Sequence, residues 1–226
     1  MTVSWFLAAE VHVARSGRDL VFLDVETDSY FCLARAGEAL AIAAGGRVHI
    51  PDEDLAHALA KAGLLVGGPR DRPSDPCLPQ ARQRDLGERD LFAARRGPGW
   101  VRTAQLVART AWDGALTVHR RPFKDLIALA RSERPLDAAD RRRPSRPLLT
   151  AVRAFQDALA WAPWQGECLY RSFTLLRHLR REGFDAQWVF GVRTWPFHAH
   201  CWLQAGDVVL EDTIDRLLPF SPILAV

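Results

Sequence analysis

The sequence lacks the features that define several broad classes of protein. No apolar run approaches the roughly 20 residues that a membrane-spanning helix needs, so no membrane attachment is expected. Residues 1–10 contain no charged segment followed by an apolar one, which argues against a signal peptide. The four cysteines, at positions 32, 77, 168 and 201, do not have the CxxC spacing of zinc sites. This sparse cysteine usage favours reduced thiols in a cytoplasmic protein.

The charge distribution gives little support for a nucleic-acid-binding protein. The formal net charge is only +3. The densest basic stretch, residues 141–146, is predicted to be a solvated linker. A predicted helix at residues 51–65 begins with consecutive acidic residues and carries a single lysine. That balance repels phosphate, so no nucleic-acid partner is expected.

Residues 1–68 are predicted to form a small domain of three strands and two helices. Two strands flank the turn-rich stretch at 16–19, and a third strand covers 30–33. One helix is expected to begin after Ala36, and a second after Pro51. Short strands followed by helices indicate an α+β unit.

The remainder of the chain is predicted to be a linker and a second domain. Residues 69–98 are rich in Pro, Gly and charge, which is typical of a domain boundary. Residues 99–226 contain several amphipathic helices followed by alternating strands. The predicted fold class is therefore α+β, with a helical bundle and an antiparallel sheet in the second domain.

Cys168 is the candidate nucleophile. It begins an amphipathic helix in which Leu169, Phe173 and Leu176 recur at helical spacing, directly after the helix-breaking stretch 163–167. Unpaired N–H groups and the helix dipole lower the pKa of a thiol at that position, and the thiolate is the reactive form. The alternative interpretation is a small buried side chain without chemistry.

His200 is the candidate base, and Asp212 is the candidate residue that orients it. If Gly206 is the centre of the hairpin between two alternating strands, His200 lies opposite Asp212. The Cβ atoms of directly opposed residues are about 4.5–5.5 Å apart, which lets a carboxylate orient an imidazole. His198 then faces an apolar residue, and Cys201 points to the other face and is predicted to be core. A one-residue change of register would remove this pairing.

These residue types have the pattern of a cysteine-nucleophile triad: Cys168 attacks, His200 transfers protons and Asp212 orients the imidazole. A metal site built from Cys168, His198 and His200 would lack a clear fourth protein ligand. The triad is therefore preferred, and neither a metal nor another cofactor is expected. The Cys168 backbone N–H and one further donor should hold the oxyanion. Gln165 is a candidate for that donor, although it could equally cap the helix.

Four motifs of the C-terminal half match one family pattern: Gly166-Glu167-Cys168-Leu169, Phe190-Gly191-Val192-Arg193, Phe197-x-Ala199-His200-x-Trp202 and Asp212. On these residues the stretch 100–226 resembles the transglutaminase-like leader peptidases of lasso-peptide biosynthesis, called B proteins. The resemblance implies a papain/transglutaminase-like cysteine peptidase with Cys168, His200 and Asp212 as its catalytic residues. It further implies two partners, namely the precursor peptide and an asparagine-synthetase-like lactam synthetase that closes the ring with ATP. Two departures from the pattern are His198 and Cys201.

The N-terminal domain contains Phe22-Leu23-Asp24, Tyr30-Phe31-x-Leu33, the predicted helix after Ala36 and Leu59-Ala60-Lys61-Ala62-Gly63-Leu64-Leu65. On these residues it resembles the winged-helix-like elements that hold the leader in enzymes which modify ribosomal peptides. The middle helix of that pattern is shortened or absent here. The resemblance implies that the leader adds as a strand along the third strand, with the last helix as the other wall. The residues implied in leader binding are Tyr30, Phe31, Cys32, Leu33, Leu55 and Leu59.

Two other functions remain open on the sequence alone. A Cys-His-Asp acyltransferase or transglutaminase would form the same thioester but would pass the acyl group to an amine. A non-enzymatic adaptor would only bind the leader or, through a winged-helix-like unit, nucleic acid. The leader-binding resemblance favours the peptidase over the first alternative, and the acidic helix disfavours nucleic acid.

Overall fold

The structure is a computed structural model that combines helices with mainly antiparallel strands, as the α+β prediction requires. The chain divides into two compact units. The first comprises the described residues up to position 78 together with 191–199 and 220–224, and the second comprises the other described residues. None of the described helices has the length and apolar character needed to cross a bilayer. The structure describes residues 4–68, 84–86, 99–133, 144–161 and 168–226.

In the first unit, residues 4–68 form two small sheets and one α-helix. One sheet has the strand order β5-β6-β1-β7, and the other has the order β2-β3-β4. The elements are β1 (Trp5–Leu7), β2 (Val11–Ser16), β3 (Asp19–Asp24), β4 (Ser29–Leu33), β5 (Ala41–Ile42), β6 (Arg47–His49), α1 (Glu53–Lys61) and β7 (Leu65–Gly67).

The three predicted strands of this unit are confirmed. β2 and β3 pair from Val11 opposite Asp24 to Ser16 opposite Asp19, and β4 pairs with the other edge of β3. Leucines, valines and Phe22 of these strands join the core of the unit. The sheet therefore ends at β4, which has a neighbouring strand on one side only within the described residues.

The predicted helix after Ala36 is wrong, whereas the helix after Pro51 is confirmed. The Gly37 N–H donates to the carbonyl of Arg18 at 2.8 Å, and β5 pairs with β6. These tertiary hydrogen bonds hold the Ala-rich segment in turns and a short strand, against its helix propensity. In α1, the Asp52 side chain accepts the Leu55 N–H and caps the first turn.

Beyond residue 68, the described residues form helices and a five-stranded sheet of order β12-β9-β10-β11-β8. A single π-helical turn, Gly114–Val118, follows the first of these helices. The helices are α2 (Trp100–Asp113), α3 (Phe123–Ser132), α4 (Arg146–Leu159), α5 (Cys168–Arg181) and α6 (Ile214–Leu217). The strands are β8 (Arg84–Asp85), β9 (Gln187–Arg193), β10 (His198–Ala205), β11 (Val208–Val209) and β12 (Ser221–Ala225).

Two kinds of contact hold α5 in place. Its apolar side packs into the core, where the Phe173 and Trp188 rings lie 5.2 Å apart between centroids. Its C-terminal half carries Arg177 and Arg181, which donate to the Asp113 carboxylate at 3.0 and 2.7 Å. Charge-assisted bonds to a buried carboxylate are among the stronger polar contacts in proteins, so they fix α5 against the end of α2.

The hairpin between β10 and β11 has a register that differs from the predicted one. Ala205 pairs with Val208, so the turn consists of Gly206 and Asp207 alone. Gly206 has a φ of 61°, which suits a two-residue turn between antiparallel strands. The predicted register, centred on Gly206, is wrong by one residue.

Gly114 provides a test of how closely α5 packs against the end of α2. A methyl group at this position would overlap the ring of Tyr170, which is fully buried. The Gly114 backbone is helical, so Ala adds bulk there without backbone strain. We expect Gly114→Ala to lower the free energy of unfolding by about 1–3 kcal/mol, measured by urea denaturation.

Gly99→Ala is the matched control, because nothing lies within 4 Å of a methyl group at that position. Gly99 is the N-cap of α2, where alanine is less favourable than glycine, so we expect a change of about 0.5 kcal/mol for this control. Equal unfolding free energies for the two variants would contradict the packing described between Gly114 and Tyr170.

Candidate active site

The structure brings Cys168, His200 and Asp212 together in one unit. Cys168 is the first residue of α5 and is half-buried, His200 lies in β10, and Asp212 follows β11. The His200 Nε2–H donates to Asp212 Oδ2 at 2.6 Å. The imidazole is also hydrogen-bonded to the Cys168 sulfur. The three side chains thus form one hydrogen-bonded series from carboxylate to sulfur.

Asp212 reaches His200 because the chain leaves the sheet just before it. The Leu210 N–H donates to the Leu203 carbonyl at 3.0 Å. The reciprocal donor, the Leu203 N–H, instead bonds to Glu211 Oε1 at 2.9 Å. A side-chain carboxyl therefore replaces the carbonyl that would continue the ladder. In a continued ladder of the observed register, Asp212 would not lie opposite His200.

The electrostatics of the site favour an imidazolium beside an ionised carboxylate. Burial opposes charge on His200, but hydrogen bonds to Asp212 and Cys168 outweigh it and raise the pKa to about 9. Burial would also raise the pKa of Asp212. Hydrogen bonds from His200 and from the Thr213 N–H overcome this effect and hold that pKa below its usual value.

Cys168 is held as a thiolate. A hydrogen bond with the Cys201 side chain is the largest cause of its low pKa, which burial opposes. Further hydrogen bonds from His200 and from the Cys201 backbone bring the pKa of Cys168 to about 3. Burial raises the pKa of Cys201 well above its usual value, so this residue remains a thiol and a donor. Between about pH 3 and pH 9 the site therefore holds a thiolate and an imidazolium.

One serine connects α5, the helix that begins at Cys168, to the sheet. Ser172 Oγ donates to the Cys168 carbonyl at 2.7 Å and accepts from Trp188 Nε1 at 2.8 Å. It also lies 3.3 Å from Cys201 Sγ. Because Ser172 is fully buried, water does not compete for these bonds, and the start of α5 is fixed relative to β9 and β10.

The sequence also offers His198 and Gln165 as residues near the site. His198 is exposed, and its ring lies 5.8 Å from that of Phe220. Gln165 lies outside the described residues, so its predicted oxyanion role stays a prediction. Within the described part of the chain, no cluster of three or more His, Cys, Asp and Glu side chains has the arrangement of a metal site.

The predicted leader-binding residues divide into two groups. Phe31 and Cys32 are exposed on the edge strand β4, and Tyr30 is half-buried. Leu59 is buried in the core of its unit, and Leu33 and Leu55 pack against that core. In the described structure the side chain of Leu59 is therefore not free to line a binding surface, and β4 is the exposed part of the predicted set.

Three residues beside the triad were missed as functional candidates. Cys201 is predicted to be core, and it is only 3% exposed, but its thiol is hydrogen-bonded to the Cys168 sulfur. Arg171 lies one turn after Cys168 on α5, and its Nη2 is 3.9 Å from Asp212 Oδ2. Glu211 precedes Asp212, and a strictly alternating strand would have directed its side chain away from the site.

Cys201 offers a direct test of what lowers the pKa of Cys168. We expect Cys201→Ala to raise the pH midpoint of Cys168 alkylation by iodoacetamide by about 1–2 pH units, since a hydrogen bond to a charged group is lost. Cys201→Ser retains a donor and should stay closer to the wild type. An alkylation profile unaffected by either change would contradict the assigned role of this thiol.

Known proteins resemble this chain at two levels. The chain is 41% identical over 49 residues to the microcin J25-processing protein McjB of Escherichia coli, and this match covers 22% of the chain and 24% of McjB. No solved structure gave a significant match. Residues 102–225, more than half of the sequence, match the family model described as the transglutaminase-like superfamily. The chain belongs to the transglutaminase-like superfamily.

Proposed function

We propose that this protein is a cysteine peptidase that removes the leader from a precursor of the lasso-peptide type. The observation that carries the proposal is the series Cys168, His200 and Asp212, in which a thiolate faces an imidazolium held by a carboxylate. Membership of the transglutaminase-like superfamily supports cysteine chemistry at this site. The partial match to McjB, named as a processing protein, supports a peptide precursor as the substrate.

In the first step, the Cys168 thiolate attacks the carbonyl carbon of the scissile peptide bond. The tetrahedral oxyanion collapses, the C–N bond breaks, and His200 gives its proton to the departing amine of the core peptide. The leader remains bound to Cys168 as a thioester. Asp212 keeps the imidazole ring aimed at the sulfur during this transfer, because its carboxylate holds Nε2.

In the second step, water hydrolyses the thioester. His200, now neutral, takes a proton from water as the oxygen attacks the acyl carbon, and the thiolate of Cys168 departs. The leader leaves as a carboxylic acid. The oxyanion of both steps is stabilised by the Cys168 backbone N–H, since the first N–H groups of a helix have no partner within the helix.

The product of this reaction is a core peptide with a free α-amine. In the proposed scheme, a partner lactam synthetase that consumes ATP joins that amine to a side-chain carboxyl. The peptidase itself needs no cofactor for the two steps.

We further propose that the N-terminal unit binds the leader by adding it as a strand to β4. β4 lies at the edge of its sheet, and Phe31 and Cys32 are exposed there. Backbone pairing at such an edge gives affinity, and side-chain contacts give specificity. This assigns substrate recognition to residues outside the triad.

Acyl transfer to an amine is the second candidate function, and membership of the transglutaminase-like superfamily supports it. It would share the thioester on Cys168 and differ only in the acceptor. Mass spectrometry of precursor incubated with the protein distinguishes the two outcomes. Free leader and free core support hydrolysis, whereas a gain of mass on an amine supports transfer.

Substitution of the triad should separate chemistry from substrate binding. We expect Cys168→Ala and His200→Ala each to reduce cleavage of a lasso-type precursor peptide by about 10⁴-fold or more. Leader affinity should be retained in both, because the proposed recognition strand lies at residues 29–33. Cleavage is measured by chromatography, and affinity by fluorescence anisotropy of labelled leader.

His198→Ala is the matched control for His200→Ala. His198 is exposed and belongs to the other compact unit, so substantial activity should remain. If His198→Ala were inactive and His200→Ala active, the base would be assigned to the wrong histidine.

Leader recognition can be tested at β4 in the background of Cys168→Ala, which prevents cleavage. We expect Phe31→Ala to weaken leader binding by about tenfold, which corresponds to the loss of an aromatic contact of about 1.4 kcal/mol. Ile42→Ala is the matched control, since Phe31 and Ile42 are 40% and 43% exposed and lie in different sheets. Equal effects of the two substitutions would argue against a recognition site on β4.

A further inference from the structure

Glu211 has an unusual position for a residue beside a catalytic carboxylate. Its Oε1 accepts the Leu203 backbone N–H at 2.9 Å, and its Oε2 is buried with no hydrogen-bond partner among the described residues. A buried polar atom without a partner is energetically costly. No cluster of metal-binding side chains surrounds it in the described part of the chain. Within the described residues, the Glu211 side chain bonds to the main chain of β10, and Arg171 is a charged group that acts on it.

The bond to Leu203 changes the path of the main chain. Leu203 and Leu210 are opposed in the observed register, and in an antiparallel ladder such a pair exchanges two hydrogen bonds. Only the bond from the Leu210 N–H is made between them. The Leu210 carbonyl accepts instead from Gln156 Nε2, at 3.5 Å. Glu211 therefore ends the ladder at the residue before Asp212.

The end of the ladder affects the position of Asp212 in the proposed triad. Asp212 directly follows Glu211, the residue at which the main chain leaves the sheet. The side chain of Asp212 is only 3% exposed. Its Oδ1 accepts the N–H of Thr213, while its Oδ2 faces His200. A main chain that continued along the ladder would carry Asp212 away from His200, since alternate residues project to opposite faces.

We propose that Glu211 is a positioning residue for the proposed reaction: its side chain replaces a backbone acceptor of Leu203 and so directs Asp212 onto His200. The inference rests on the proposed function only for its effect on cleavage. The geometric part concerns the Asp212–His200 bond, which can be measured without substrate.

The charge state of Glu211 agrees with this role. Burial raises the pKa of Glu211 to about 8, against the opposing effect of Arg171. At neutral pH the side chain is therefore a neutral acid, and it accepts a hydrogen bond without adding a second negative charge beside Asp212. The titratable or charged side chains near His200 in the described structure are Cys168, Arg171, Cys201, Glu211, Asp212 and Arg216.

The test compares Glu211→Ala with Glu211→Gln in the full chain. Glutamine keeps an acceptor oxygen and the neutral charge, whereas alanine leaves the Leu203 N–H without that partner. The readout is the pH titration of the His200 ring by nitrogen-15 NMR, assigned with His200→Ala. We expect Glu211→Ala to lower the titration midpoint of His200 by about 1–2 pH units, because the hydrogen bond to Asp212 is weakened. Glu211→Gln should keep the wild-type midpoint.

Two controls make the result specific. Asp215→Ala removes an exposed carboxylate three residues after Asp212 and should leave the titration unchanged. Asp212→Asn removes the charge itself and should lower the midpoint at least as much as Glu211→Ala. An unchanged His200 midpoint in folded Glu211→Ala would overturn the inference, even if that variant were less stable.

Failure of the proposed function would give a different result. If the protein did not cleave precursor at all, the NMR comparison would still report on Glu211. If Glu211→Ala failed to fold, Glu211→Leu would take its place, because leucine fills a similar volume but has no acceptor oxygen. It should show the same lowered titration midpoint of His200. A Glu211→Gln variant that behaved like Glu211→Ala would show that the acceptor oxygen is not what matters and would also overturn the inference.

Discussion

The arrangement of the candidate site depends on one buried hydroxyl group. Ser172 Oγ donates to the Cys168 carbonyl, accepts from Trp188 Nε1 and lies 3.3 Å from Cys201 Sγ, and so joins the start of α5 to two strands of the sheet. A helix that only packed its apolar side against the sheet could slide or rotate by a fraction of a turn. Directional hydrogen bonds in a site without water remove that freedom.

The two consecutive carboxyl groups at the site, Glu211 and Asp212, differ in protonation state, and each state has a distinct physical cause. Asp212 receives hydrogen bonds that favour its ionised form, whereas burial dominates at Glu211. Two charged carboxylates side by side would repel each other and would weaken the hold of Asp212 on His200. With one carboxyl neutral, a single negative charge faces the imidazolium. The charge on His200 is then balanced by Asp212 on one side and by the thiolate on the other.

The main elements of this half could be predicted from the sequence because local patterns determine them. The periodic apolar residues of α5 place Cys168 at a helix start, and the glycine at position 206 identifies the turn. The strand that carries His200 could be recognised from the sequence, although β10 is buried at every residue from His200 to Ala205 and does not alternate there. Spacing alone also selected Asp212 among the nearby acidic residues, and the structure brings this residue to His200.

The features that could not be predicted depend on contacts between distant residues. The helix expected after Ala36 is replaced by turns because Gly37 bonds to the Arg18 carbonyl, a contact that local propensity does not contain. The pairing of His200 with Asp212 was predicted from a register that is wrong by one residue. The pair forms nevertheless, because the chain leaves the ladder at Glu211 and compensates for the shift. A strand register therefore cannot by itself position a catalytic carboxylate when the ladder ends before it, and the residue that ends the ladder has to be identified first.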